Sequence, residues 1–408
     1  LIAKIVLLSD SVVNRPAALQ VASHSKINNS VVFLTILVDS AVSRGAIFAA
    51  FRGPDGLEKR RPVTGNTALS SADSTGGEKF DHSAVLGLVA DVGGTHIRFG
   101  IAVGGPDDHT INVHCVRRYA VRAHESISHA AQYYRNATPG IPASLNRAAV
   151  AVAGRVDADR VQLTNSGWSF SARALSESQR FQQLRIVNDF EAVGHAVGAL
   201  RTADLQAIGA QRLTLPMKQG VCAIVGVGTG LGVGGVIANQ GVFSVLATEG
   251  GHASFAPSSE QSIEVLRWLR KKYGRVSAER VLSGGGLSNL YSALSEIAGQ
   301  HVPELSAAEV TTRAANGSDE NCVEAVGLFC EVLGSFAGDL ALTLGAWQGV
   351  LISGAMLAHF DRAMLERRIR QGFEYKGRFT PAMRNVPVET ISHPHVELLG
   401  AARLLRNS

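Results

Sequence analysis

The stretch VLGLVADVGGTHIRFGIAV, residues 85–103, decides how this chain folds. An apolar run ends at Asp91, crosses Gly93-Gly94-Thr95 and resumes with alternating apolar residues at Ile97, Phe99 and Ile101. That spacing predicts two strands joined by a tight turn. Paired glycines let the turn take positive φ and leave its amides uncovered by any Cβ. Such amides, with the Thr95 hydroxyl and a carboxylate at a strand end, suit a polyphosphate and the Mg²⁺ that travels with it. A strand followed by a Gly-Gly hairpin is also common punctuation, so the stretch has to be weighed with the rest of the chain.

Residues 221–243, VCAIVGVGTGLGVGGVIANQGVF, repeat the design: an apolar strand, the turn Gly228-Thr229-Gly230, then an alternating strand running to a second hairpin at Asn239-Gln240-Gly241. Two such turns about 135 residues apart point to an internally duplicated protein that grips a nucleotide from both sides. No helix pattern follows the glycines closely, which excludes the Rossmann fingerprint, and no G-x-x-x-x-G-K-[ST] is present. Between the turns, RAAVAVAGRV (147–156) has the apolar run of a central parallel strand. A polar loop with Asn165 and Trp168 follows, and then LRIVNDFEAVGHAVGAL (184–200), a short strand ending at Asn188-Asp189 before a helix. Ligands of open α/β sheets collect at the carboxyl ends of strands, which suits Asp189 to chemistry, whereas an Asp before an apolar helical run also serves as a cap. Position alone leaves both readings open. Further on, ATEGGHASFAP (247–257) supplies Glu249 and His252, and Glu279 follows. With Asn165, Asn188 and Asp189 these residues form a hydrogen-bonding set with few cations, better matched to sugar hydroxyls than to an anion.

Composition bounds the alternatives. The 408 residues are 46% hydrophobic and 18% charged, enough for two domains and an extension. A net charge of +5, with no basic run beyond Lys59-Arg60-Arg61, gives no indication of nucleic acid or anionic membrane as partner. Cys115, Cys222, Cys322 and Cys330 are too far apart for a C-x-x-C pair, and a reducing cytosol fits them. VVFLTILVDSAV (31–42) is too short, and too interrupted by Asp39, for a membrane span or signal peptide. Residues 53–84 have the composition of a flexible link. Most of 1–84 is therefore expected to be dispensable for chemistry, or partly disordered.

DVGGTHIRFG, NDFEAVGHA, GVGTGLGVG, EGGHASFAP and SAERVLSGGGLSNLY occur in the order and spacing of bacterial hexose kinases, and from about residue 86 onward the chain closely resembles the proteobacterial glucokinases. The resemblance implies an α/β fold of two actin-like (ribonuclease H-like) domains with the active site in the cleft between them. Residues 85–199 plus 392–408 would form the small domain and 200–391 the large one. It implies transfer of the γ-phosphoryl group of ATP to the 6-hydroxyl of glucose by a homodimer in the cytoplasm. Asp91 would stand near Mg²⁺ and hold it through water; Gly93, Gly94, Thr95, Gly228, Thr229 and Gly230 would face the phosphates. Asn165, Asn188, Asp189, Glu249, His252 and Glu279 would contact the sugar, with Asp189 as the base.

Two departures stand out. The family's S-G-P-G-L reads Ser283-Gly284-Gly285-Gly286-Leu287, and its Gly-Gly pair near the adenosine end reads Gly354-Ala355. The nearest cysteine after the E-x-G-H motif is Cys322, so the zinc site of related repressor-type sugar kinases is not expected. The alternatives are a kinase of another hexose, a sugar-responsive DNA-binding regulator, and a chaperone-like or filament ATPase on the same fold. Residues 1–84 carry nine Lys/Arg against seven Asp/Glu and no clear recognition helix, which disfavours the regulator.

Overall fold

The computed structural model describes residues 20–27, 31–40, 43–52 and 80–408, apart from 106, 143–144, 164–166 and 407–408. The chain divides into two compact units, residues 1–74 and 75–408. In the first, β1 (Gln20–Ile27), β2 (Val31–Ser40) and β3 (Ser43–Arg52) form an antiparallel meander with β2 in the middle. The apolar stretch that fitted neither a span nor a signal peptide is thus its central strand, as a run rich in Val, Ile, Phe and Thr favours. The linker-like residues 53–79 lie outside the described residues.

The second unit opens with β4 (Val85–Val92), β5 (His96–Val103) and β6 (Asn112–Ala120), an antiparallel meander built from the stretch quoted above. Helix α1 (Ile127–Ala137) leads to β7 (Arg147–Val152), parallel to β4. A small ribbon of β8 (Gly154–Asp157), β9 (Arg160–Leu163) and β10 (Ser169–Ser171) precedes α2 (Ala172–Gln179). Then β11 (Gln183–Asn188) pairs parallel to β7, and α3 (Asp189–Ala196) follows at once. The sheet order is β11-β7-β4-β5-β6, and Ala148 to Val152 of β7 are all buried, as a strand covered on both faces requires.

The remainder repeats this plan. After β12 (Leu205–Ala207) come β13 (Gln219–Val227), β14 (Leu231–Asn239) and β15 (Val242–Thr248), a second antiparallel meander. Its outer turn has Gln240 at φ 52° and Gly241 at φ 81°, the left-handed pair that a two-residue hairpin demands. Helices α4 (Glu260–Tyr273), α5 (Gly284–Ile297), α6 (Ala307–Ala315) and α7 (Glu320–Leu344) precede β16 (Gly349–Ser353), parallel to β13. Then α8 (Arg362–Glu374), α9 (Thr380–Met383), β17 (Val388–Ile391) parallel to β16, and α10 (Val396–Arg406) complete the chain. With β12 set aside, the order β17-β16-β13-β14-β15 matches the first sheet strand for strand. The duplication read from the two glycine turns is a duplication of whole sheets.

Helix α7 is long and apolar enough to cross a membrane, but most of it is buried and it packs on α5, α6 and α8 as the central helix of the second core. Helix α10 returns to the first sheet, lying on β4 and β7 and crossing α3 closely. The crossing depends on Gly400, where a Cβ would overlap the carbonyl oxygen of Ala192.

Candidate functional site

Each glycine turn stands at the carboxyl end of the strand before it. In the first, Gly93 N–H donates to His96 O (2.9 Å), and Val121 N–H, following β6, donates to Thr95 O (2.9 Å). In the second, Gly228 N–H donates to Gly230 O (3.0 Å), and the Gly228 carbonyl accepts Gly284 N–H from the first turn of α5 (2.9 Å). Gly228 and Thr229 are exposed, and a Cβ on Gly228 would meet nothing within 4 Å, so ligand atoms have room to approach. Gly226, two residues before this turn, lies inside β13 and pairs with Gly232.

Asp91 is buried at the end of β4 and forms an ion pair with Arg98, whose Nη2 stands 2.6 Å and Nε 2.8 Å from Oδ2. Arg98 also reaches Glu397 of α10 (3.4 Å). Burial pushes the Asp91 carboxyl well above the usual carboxylate range; Arg98 pulls it back, while Glu397 and Asp189 push it further up. This places Asp91, Arg98, Glu397 and Asp189 in one electrostatic group. Both Arg98 contacts fall on Oδ2, and neither involves Oδ1. Among the described residues no group of three or more His, Cys, Asp or Glu forms a metal cage. His96 is depressed by burial and then by Arg118, Arg122 and Arg98, so the first turn lies in a positive field suited to phosphate.

The structure resolves the two readings of the NDF segment as far as capping goes. Asn188 is the N-cap of α3: its Oδ1 accepts Phe190 N–H (2.9 Å) and its Nδ2 donates to Gly154 O (3.2 Å). Asp189 is the first helical residue, and its Oδ1 shares the same Phe190 N–H (2.9 Å). With the cap role filled, the Asp189 carboxylate is left for other work, and burial raises it to about 6, with Glu397 adding to the rise and the Phe190 hydrogen bond opposing it.

On the far side, Glu279 Oε2 accepts Leu231 N–H (3.0 Å) at the base of the second turn, and a Cβ on Gly230 would stand 2.5 Å from that oxygen. His252 Nδ1 lies 4.0 Å from Glu279 Oε1, and its Nε2 lies 3.8 Å from Glu249 Oε2. Glu249, His252 and Glu279 are therefore strung together beside the turn, with the Glu249 side chain almost fully exposed and free to receive a ligand hydroxyl. Asn165 lies outside the described residues. Sequence reading missed Arg98, Glu397 and Phe190: Arg98 is inside the first motif and register-paired with Asp91, whereas Glu397 is 299 residues from Arg98 and has no local signal.

The departures can now be placed. Gly285 is the second residue of α5, with only Ser283 Oγ (3.9 Å) near a would-be Cβ. Ser283 caps the helix through Gly286 N–H (3.0 Å), so three glycines occupy its first turn. Gly285→Pro is expected to raise stability by about 0.4–1 kcal/mol by restricting the unfolded chain; a lower denaturation midpoint would show that the Gly285 N–H or its freedom is needed. Ala355 opens a short 3₁₀ turn after β16 and is exposed, so its methyl displaces no protein atom.

A sequence model of the glucokinase family matches residues 88–408. The chain is 40% identical over 318 residues to a glucokinase of Stenotrophomonas maltophilia strain R551-3, covering 77% of this chain and 93% of that one. The crystal structure of a glucokinase from an Antarctic psychrotroph superposes with a TM-score of 0.71 at 34% identity, covering 79% of this chain and 98% of that one. The glucokinase of Balamuthia mandrillaris, solved with glucose, has the same fold at 21% identity and a TM-score of 0.64, over 78% and 93% of the two chains.

Proposed function

This chain belongs to the glucokinase family, with its actin-like fold, and from that premise we propose that it transfers the γ-phosphoryl group of ATP to the 6-hydroxyl of glucose, with Asp189 as the base. The observation that carries the assignment of the base is the half-buried, raised carboxylate of Asp189 beside an Asn188 that already caps the helix. Phosphoryl transfer passes through a loose transition state, so alignment and charge neutralisation matter more than covalent help. In this reading Gly93, Gly94 and Thr95 and the turn Gly228-Thr229-Gly230 offer amides and hydroxyls to the phosphates. Asn188, Glu249, His252 and Glu279, with Asn165, accept and donate to the sugar hydroxyls and fix the ring. Asp189 takes the proton of the attacking hydroxyl, and Arg98 holds Asp91 in place. Asp91 would hold Mg²⁺ through water, and the ion would supply positive charge to the phosphates. Cytosolic placement and a homodimer accompany the reading.

The test is a coupled assay of ADP release with glucose, mannose, fructose and N-acetylglucosamine. Glucose is expected to give the highest kcat/KM. Activity should require Mg²⁺ or Mn²⁺ and survive a zinc-selective chelator; ATP hydrolysis indifferent to every sugar would reject the kinase reading. The pH dependence follows from the base. Asp189 acts only when ionised, so kcat/KM at saturating Mg²⁺ should fall as pH drops through about 6, the value to which burial raises the carboxyl. A profile flat from pH 5 to 8, roughly the span in which a raised carboxylate titrates, would exclude Asp189 from that role.

A further inference from the structure

We propose that Phe190 is a positioning residue for this transfer: its ring, seated on three strand glycines, sets the distance between the Asp189 carboxylate and the second phosphate turn. The inference rests on the kinase reading above. Helix α3 packs on α10, β7 and β11, on the side of the first sheet, and also on β14 and β15 of the second. Phe190 projects from its first turn onto that second sheet. A Cβ on Gly232 would stand 2.5 Å from Phe190 Cγ and Cδ2, one on Gly226 would overlap Cε2, and one on Gly234 would lie 3.6 Å from Cε1. Glycine inside strands weakens them and marks a place where another group approaches closely; here the group is this ring.

The floor is not anywhere along the hairpin. Gly226 and Gly232 are register partners, and the next pair, Val227 and Leu231, closes the turn Gly228-Thr229-Gly230. The ring therefore lies directly under the phosphate turn. The backbone N–H of the same residue donates to Asp189 Oδ1 (2.9 Å), and among the described residues this is the one hydrogen bond from another residue that the carboxylate receives. One residue thus holds the base by its amide and the phosphate strands by its ring. In the transfer the sugar oxygen forms a bond to the γ-phosphorus, the bond to the β-bridging oxygen breaks, ADP leaves with that electron pair, and the hydroxyl proton goes to Asp189. A misplacement of about 1 Å in such an alignment costs on the order of 10²-fold in rate.

Phe190→Leu keeps an apolar side chain but removes the ring from the floor. It is expected to lower kcat for glucose by about 10–100-fold, with calorimetric dissociation constants for glucose and ATP changed by less than about threefold. In an Asp189→Asn background the same substitution should alter the residual turnover by less than about threefold, since no base remains to be aimed. An equal loss in both backgrounds, or a parental kcat in Phe190→Leu, would overturn the inference. If Phe190→Leu does not fold, Gly232→Ala presses on the ring from the floor and is read through the same cycle. A parent chain that phosphorylates no hexose would instead mark failure of the kinase reading, and that result is in hand before any variant is made.

Discussion

Asp189→Asn is expected to lower the turnover number at saturating glucose by roughly 10²–10⁴-fold, the span of a positioned general base. Asparagine matches the carboxylate in shape and can still accept the Phe190 N–H that Asp189 Oδ1 now takes, but it cannot take the proton. Since Asn188 caps α3, the fold should survive the change. The linkage sign makes this sharper. The folded-state pKa of Asp189 is raised from 3.8 to about 6, so the folded state binds the extra proton between those values and stability falls as pH rises through about 6. At pH 8, where the parent holds an ionised carboxylate in a half-buried place, the variant should melt at the same temperature or higher. Turnover within a few-fold of the parent would remove the base assignment; a lower melting temperature at pH 8 would show that the carboxylate is structural.

Gly400→Ala tests the other end of the assembly and sets two effects against each other. On helix propensity alone, Gly to Ala inside α10 gains about 1 kcal/mol. The new methyl, however, would overlap the Ala192 carbonyl oxygen and approach Ala196 N at 3.1 Å, both backbone atoms of α3. Neither can rotate away, so α10 must lift off α3, and overpacking of this kind costs about 3 kcal/mol. The cost exceeds the gain by about 2 kcal/mol, and for a unit of this size a melting temperature lower by roughly 3 °C is expected. A rise would mean that the two helices are not held at the described separation.

What could be read in the sequence, and what could not, follows from the range of each interaction. The two turns, the strands around them and the Asn188-Asp189 junction are local features, visible in periodicity and in the placement of glycine and carboxylate. Sequence could not divide cap from base there, because either residue caps a helix equally well; only the helix boundary, with Asn188 as N-cap and Asp189 already helical, and the bond from Asn188 to Gly154 separate them. Of the five glycines of GVGTGLGVG, sequence reading gave a role only to Gly228 and Gly230. Three of them, Gly226, Gly232 and Gly234, lie in strands beneath Phe190, a contact made across 36 or more residues that no spacing rule reports. The Arg98 to Glu397 pair was beyond reach for the same reason.

That last pair also has a consequence for how the protein is made. Strands β4 and β5 leave the ribosome early, but the helix that seals their face and brings Glu397 to Arg98 is encoded about 300 residues later. At a synthesis rate of about 5–20 residues per second, the first sheet waits about 15–60 s for its cover. Through that interval the apolar side chains of Val89, Ala102 and Ala149, which end in one core with Leu398, Leu399 and Leu405, stand open on the nascent chain. The early half of this chain therefore emerges with its glycine turn encoded and its sheet unsealed, a state that a stalled ribosome would prolong.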